Sequence, residues 1–153
     1  MTIPQNKGKY IISDAAREGR KQNYPMGLIY SPIGKPARKA YSLFPIVDEA
    51  GKGFEYIDEL LRASFYEGIN IGEDEYLQSL ITNLDLDWSL IKKDLNSRKW
   101  KKVLDDNLKD MYAGNCWGVP SFKITDIDGN NPFTVWGQDR MWLLKEEINK
   151  RLG

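Results

Sequence analysis

Cys116 is the one thiol in the 153-residue sequence, and there is no histidine. A single cysteine excludes an internal disulfide and a CxxC redox pair. Without histidine there is no Ser-His or Cys-His couple and none of the usual zinc ligand sets. Any chemistry must come from backbone groups, carboxylates, hydroxyls or a bound cofactor. Cys116 follows a helix pattern, precedes Trp117 and has no neighbouring cation, so it reads as a buried, inert thiol. Asp139 stands at the start of the last helix pattern, where a carboxylate caps the helix and suits its dipole. Arg140 beside it reads as a surface or ion-pairing residue. Asp126 and Asp128 flank Gly129 but lack the remaining ligands of a calcium-binding loop. The run Arg98-Lys99, Lys101-Lys102 is balanced by Asp105, Asp106 and Asp110, the pattern of a solvated helix face with i,i+4 pairs.

Elements that can position these residues follow from periodicity. Helices are expected over 7–22 (stripe Tyr10, Ile11, Ile12, Ala15), 36–50 with Pro45 inside it as a kink or a late start, and 53–67. Asn23-Tyr24-Pro25 ends the first, and residues 26–36 read as an extended loop. The third carries the stripe Phe54, Ile57, Leu60, Leu61 and Phe65. A helix near 73–83 buries Tyr76, Leu77, Leu80, Ile81 and Leu84, and a short turn or helix spans Trp88–Leu95. Ser97 is the expected N-cap of a helix over 98–113, with Trp100, Val103, Leu104, Leu108, Met111 and Tyr112 inward and a left-handed stop at Gly114-Asn115. The period then changes to that of a hairpin, 121–125 and 133–136 around the turn residues 126–131, before a helix over 139–152 with Met141, Leu144, Ile148 and Leu152 inward. A lone hairpin is marginal in water and needs covering helices or further strands. Trp100, Tyr76 and most other aromatic residues sit at core spacings. Trp117 and Trp136 instead flank the Val119-Pro120 junction.

Composition sets the class. The chain is 41% hydrophobic and 29% charged, with 22 basic and 22 acidic residues and zero net charge. This is the balance of a soluble globular protein, and nothing global steers it to nucleic acid or anionic lipid. No apolar run reaches the roughly 18–20 residues of a membrane span. The N-terminus has no signal-peptide pattern, so a cytoplasmic or organelle-matrix location, not secretion, is expected.

Gly118-Val119-Pro120-Ser121-Phe122, a hairpin, and Trp136-Gly137-Gln138-Asp139-Arg140 opening the last helix resemble the 2-hydroxychromene-2-carboxylate isomerases and kappa-class glutathione transferases, in the DsbA-like branch of the thioredoxin fold. Lys9-Tyr10, Asp14, Arg17 and Pro25 are similar to the helix opening that family's inserted helical domain. Phe65-Tyr66-Glu67-Gly68-Ile69-Asn70-Ile71 and Leu84–Leu90 resemble stretches within the insertion. Asn115, Cys116 and Ser121 depart from the family pattern.

The resemblance implies a helix-dominated α/β chain: a thioredoxin-like C-terminal β-β-α half with a large helical insertion. Domains are expected at 1–114 (helical) and 115–153 (C-terminal half), forming one compact unit. The family's N-terminal strand–helix–strand, which carries the catalytic Ser or Cys, has no counterpart here, so no catalytic residue is expected in this chain. A strand–helix–strand upstream of Met1, ending near Ile3, restores the enzyme reading. The resemblance further implies a cis Val119–Pro120 bond leaving Val119 free to pair with a thiol peptide, and Gln138 with Asp139 holding the γ-glutamyl end of glutathione. The expected ligand is glutathione or a small thiol or aromatic substrate, used for cis–trans isomerisation or conjugation; no metal is expected. The alternative is a non-catalytic interaction or structural protein that has lost the active-site half and pairs with another chain or with itself as a homodimer, since an incomplete sheet exposes a strand edge.

Overall fold

A computed structural model describes residues 4–24 and 26–153; the expected break at Pro25 and the stretch up to Ile3 lie outside the described residues. The chain is helix-dominated with one small sheet and forms two compact units, Met1–Trp100 and Lys101–Gly153. The division falls in the first turn of a helix.

In the first unit, α1 (Gln5–Lys21), α2 (Lys35–Glu49), α3 (Gly53–Phe65), α4 (Asp74–Asn83) and α5 (Trp88–Ile91) follow one another, and a 3-10 turn, Lys92–Asp94, continues α5. Pro36 sits in the first turn of α2, where its missing N–H costs nothing, and Pro45 lies inside the helix. The core is assembled from Ala40, Leu43 and Val47 of α2, Tyr56, Leu60 and Ala63 of α3, Ile71, Leu77, Leu80 and Ile81 at α4, and Ile91. The inward face of α3 includes Leu60 and Ile57 of the expected stripe but not Phe54, which is 83% exposed, or Leu61, also exposed, whereas Tyr56 is fully buried. Burial follows Tyr56, Leu60, Ala63 and Ser64, because the small residues at 63 and 64 let α3 pack closely. Tyr10, Ile11 and Ile12 of α1 are exposed, and the helix buries no residue. The Ser97 hydroxyl donates to the Ser42 carbonyl at 3.3 Å, while the buried Ser42 hydroxyl accepts the Asn96 N–H at 3.0 Å.

Two tyrosines make this unit sensitive to alkali. The buried Tyr56 hydroxyl donates to the Ala40 carbonyl at 2.8 Å, and burial drives its phenol far above the ordinary value. Burial, then the charges of Glu59 and Glu67, push Tyr76 up to about 12. Between pH 10, where an unfolded tyrosine ionises, and about 12, the folded chain keeps protons that the unfolded chain has lost. Stability therefore falls as pH rises through that window, by about 1.4 kcal/mol per pH unit for each tyrosine. Thermal melts over this range are expected to drop steeply, and Tyr76→Phe to flatten the slope. A pH-independent melting temperature would contradict the assignment.

The second unit holds most of α6 (Lys99–Ala113), then β1 (Ser121–Ile124), β2 (Phe133–Trp136), a 3-10 turn Gln138–Arg140 and α7 (Met141–Leu152). Asn115, at φ 57°, ends α6 in the left-handed conformation that asparagine tolerates. β1 and β2 pair antiparallel with Ser121 opposite Trp136 and Ile124 opposite Phe133. The Asp126 carboxylate is engaged by Arg151 at 2.9 Å; the same guanidinium donates to the Asn131 carbonyl at 2.8 Å and to Glu147 at 2.7 Å, clamping the hairpin turn to α7. Val135 and Cys116 are this unit's buried apolar side chains among the described residues. Neither α6 nor α7 buries a residue, so the inward stripes expected on both are only half-covered or exposed.

Candidate functional site

The site is built within Lys101–Gly153. α6 ends in a tight turn in which the Cys116 N–H reaches the Met111 carbonyl at 3.0 Å, and Thr134 of β2 donates its hydroxyl to the Gly114 carbonyl at 2.6 Å. The chain then runs through Trp117 and Gly118 to Val119–Pro120, whose peptide bond is cis. Ser121 closes this corner by donating its hydroxyl to the Gly118 carbonyl at 2.5 Å. The Pro120 carbonyl accepts the Gly137 N–H at 3.0 Å, extending the β1–β2 ladder by one bond.

Val119 is the exception in this well-bonded corner. It is 88% exposed, and neither its N–H nor its C=O has a hydrogen-bond partner among the described residues. A cavity of about 440 Å³ opens beside it, against Asp110 and Met111 of α6, Cys116, Pro120 and β1. Lys123 on β1 crosses to Asp110 on α6 at 2.6 Å, so the charged wall of the cavity is a neutral pair. Cys116 is 6% exposed, with its thiol 3.6 Å from the Gly114 carbonyl. The arrangement offers an extended ligand one main-chain donor and one main-chain acceptor next to an apolar recess.

The remaining expected site residues fall around this corner and not in the cavity. Trp117 and Trp136 pack ring to ring with centroids 4.9 Å apart; at 68% and 37% exposure they form an outer aromatic ledge. Gln138 and Asp139 start one residue after Gly137, whose φ of 104° only glycine adopts without strain and whose N–H ties the segment to Pro120. Both side chains are exposed. The Asp139 carboxylate is held by Arg140, both oxygens 2.7 Å from one guanidinium nitrogen, so Arg140 is the ion-pairing residue its position suggested. Neither Asp110, read in the sequence only as part of a solvated helix face, nor Lys123 was expected at the site. Asp110 belongs by spacing to the solvated face of α6, and its bond to a residue 13 positions on leaves no local signature. Among the described residues no group of three or more His, Cys, Asp or Glu could hold a metal ion.

Comparison with known proteins gives this geometry a context. Residues 3–149 match the model of the DSBA-like thioredoxin domain. "Uncharacterized protein YwbO" of Bacillus subtilis (strain 168) is 33% identical over 88 residues, 57% of this chain and 44% of that protein, so the chain spans less than half the length of this curated relative. The structure of 2-hydroxychromene-2-carboxylate isomerase matches 97% of this chain and 68% of its own, with a TM-score of 0.74 and 18% identity. The cytosolic disulfide reductase DsbM from Pseudomonas aeruginosa matches all of this chain and 81% of its own, with a TM-score of 0.67 and 19% identity. At these identities the two structures establish likeness of fold.

Proposed function

We propose, from the premise that the chain belongs to the DSBA-like thioredoxin domain family, that its Val119 corner docks the cysteinyl part of glutathione or a similar thiol peptide. The observation that carries this reading is the unpaired, 88% exposed main chain of Val119 beside the cavity. A cysteinyl residue laid against it in extended form receives the Val119 N–H on its carbonyl and gives its own N–H to the Val119 carbonyl, as in strand addition. Two such bonds are worth only about 0.5–1.5 kcal/mol each, so a second contact is needed. Asp139, with Gln138, supplies it at the γ-glutamyl ammonium through a charge-assisted bond. The Arg140 partner leaves the Asp139 carboxylate 71% exposed and able to accept a further donor. Trp117 and Trp136 flank the ligand or an aromatic co-substrate.

With no histidine and one buried cysteine in the sequence, the reactive thiol comes from the ligand. Bound glutathione supplies a thiolate nucleophile for isomerisation, conjugation or disulfide exchange in the complete protein. Tryptophan fluorescence and thermal melts during a glutathione titration test the reading. Ligand at about a hundred times its Kd is expected to stabilise the chain by about 2.7 kcal/mol. Asp139→Ala is expected to remove most of that stabilisation; Val119→Thr, which keeps the main chain, to leave it. No shift in the unaltered chain would overturn the proposal.

A further inference from the structure

We infer that Trp136 selects thiol peptides carrying a free carboxylate one residue after the cysteine, by donating its indole N–H to that group. The inference rests on the docking of a cysteinyl residue at Val119 and extends it to the C-terminal end of the ligand.

Chain direction decides which end of the ligand meets which part of the corner. A residue that exchanges both main-chain bonds with Val119 belongs to an antiparallel strand. The ligand residue before the cysteine therefore lies past Val119, toward Pro120, whose carbonyl is tied to Gly137 at the head of Gln138 and Asp139. This is the end that Asp139 serves. The residue after the cysteine runs the other way and lies beside Gly118.

At Gly118 no side chain stands on the main chain, and the Nε1 edge of the Trp136 indole takes that space. A Cβ built there lies 2.6 Å from Nε1. The Trp117 ring, with its centroid 4.9 Å away, packs against the indole and restricts it to this orientation. Trp136 is partly exposed, and its N–H has no hydrogen-bond partner among the described residues. An indole N–H only donates, so the partner it lacks is an acceptor such as an oxygen. The two cations of the corner are committed elsewhere: Lys123 to Asp110 at 2.6 Å and Arg140 to Asp139 at 2.7 Å. That leaves the Trp136 N–H, fixed beside the main chain, to meet the carboxylate in a charge-assisted bond, stronger than a neutral one.

Indole N–H signals followed by NMR as glutathione is added test the inference. The Trp136 indole proton is expected to move downfield and that of Trp88, in the Met1–Trp100 unit, to stay in place. γ-Glutamylcysteine amide keeps the γ-glutamyl ammonium and the cysteinyl main chain but has no glycyl carboxylate. It is expected to bind roughly tenfold more weakly than glutathione and to leave the Trp136 proton unmoved. Trp136→Phe keeps a ring against Trp117 and is expected to bind the two ligands alike. Comparing the ligands on the unaltered chain decides the matter even where Trp136→Phe destabilises the hairpin. Two results would overturn the inference and leave the Val119 corner standing: glutathione that protects the Val119 amide without moving the Trp136 indole proton, or equal affinity of the unaltered chain for both ligands. Failure of glutathione to bind at all would remove both.

Discussion

Tyr56→Ala is expected to destabilise the Met1–Trp100 unit strongly. Tyr56 is the largest of its fully buried side chains, set among Leu60, Leu77 and Ile81 of the core, and it ties α3 to α2 through the Ala40 carbonyl. Removing a buried aromatic ring costs about 3–5 kcal/mol in transfer and cavity energy. Loss of the hydrogen bond adds about 1 kcal/mol. Against a total stability of roughly 5–15 kcal/mol for a domain of this size, this loss of about 4–6 kcal/mol is a large share, and at the low end all of it. Tyr56→Phe keeps the ring and is expected to cost about 1–2 kcal/mol. Urea titration followed by circular dichroism separates the two; equal midpoints for Tyr56→Ala and the unaltered chain would contradict the packing described.

Gly118→Val is expected to have the largest effect near the site. A Cβ at Gly118 lies 2.6 Å from Trp136 Nε1 and 3.2 Å from its Cε2, distances at which the indole must move. Trp136 cannot move far without leaving Trp117, 4.9 Å away, and it stands on β2 opposite Ser121. Overpacking of this kind costs about 1–3 kcal/mol, and here it displaces the residue next to Val119. Altered tryptophan emission, lower hairpin stability and weakened glutathione binding are expected together. Gly8→Ala, in α1 with nothing within 4 Å of the added methyl, is the control expected to leave all three unchanged.

Much of this was legible before any coordinates. Helix periodicity placed α2, α3, α4 and α6 within one or two residues of their observed ends, and the change to period two located both strands, because these signals are local. On α3 the pattern holds at Ile57 and Leu60 and fails at Phe54 and Leu61, because Phe54 outweighs Ala63 and Ser64 in an apolar pattern, whereas close packing rewards the small residues. On α6 the apolar stripe is present as read, but none of its residues is fully buried; a pattern encodes what a face needs, not what meets it. The Asp110–Lys123 pair was hidden for a related reason: each residue has an ordinary local role, and only the fold of the hairpin onto α6 brings them to 2.6 Å. The division at Trp100 is likewise invisible in sequence, since no linker composition marks it.

The most direct test follows the Val119 amide itself. Hydrogen exchange at single-residue resolution, with and without saturating glutathione, is expected to show the Val119 N–H exchanging freely in the chain alone and becoming protected with ligand, while Ile127, exposed on the distal hairpin turn, does not change. Glutathione that binds and leaves Val119 exchanging as before, or a Val119 amide already protected without it, would contradict the account.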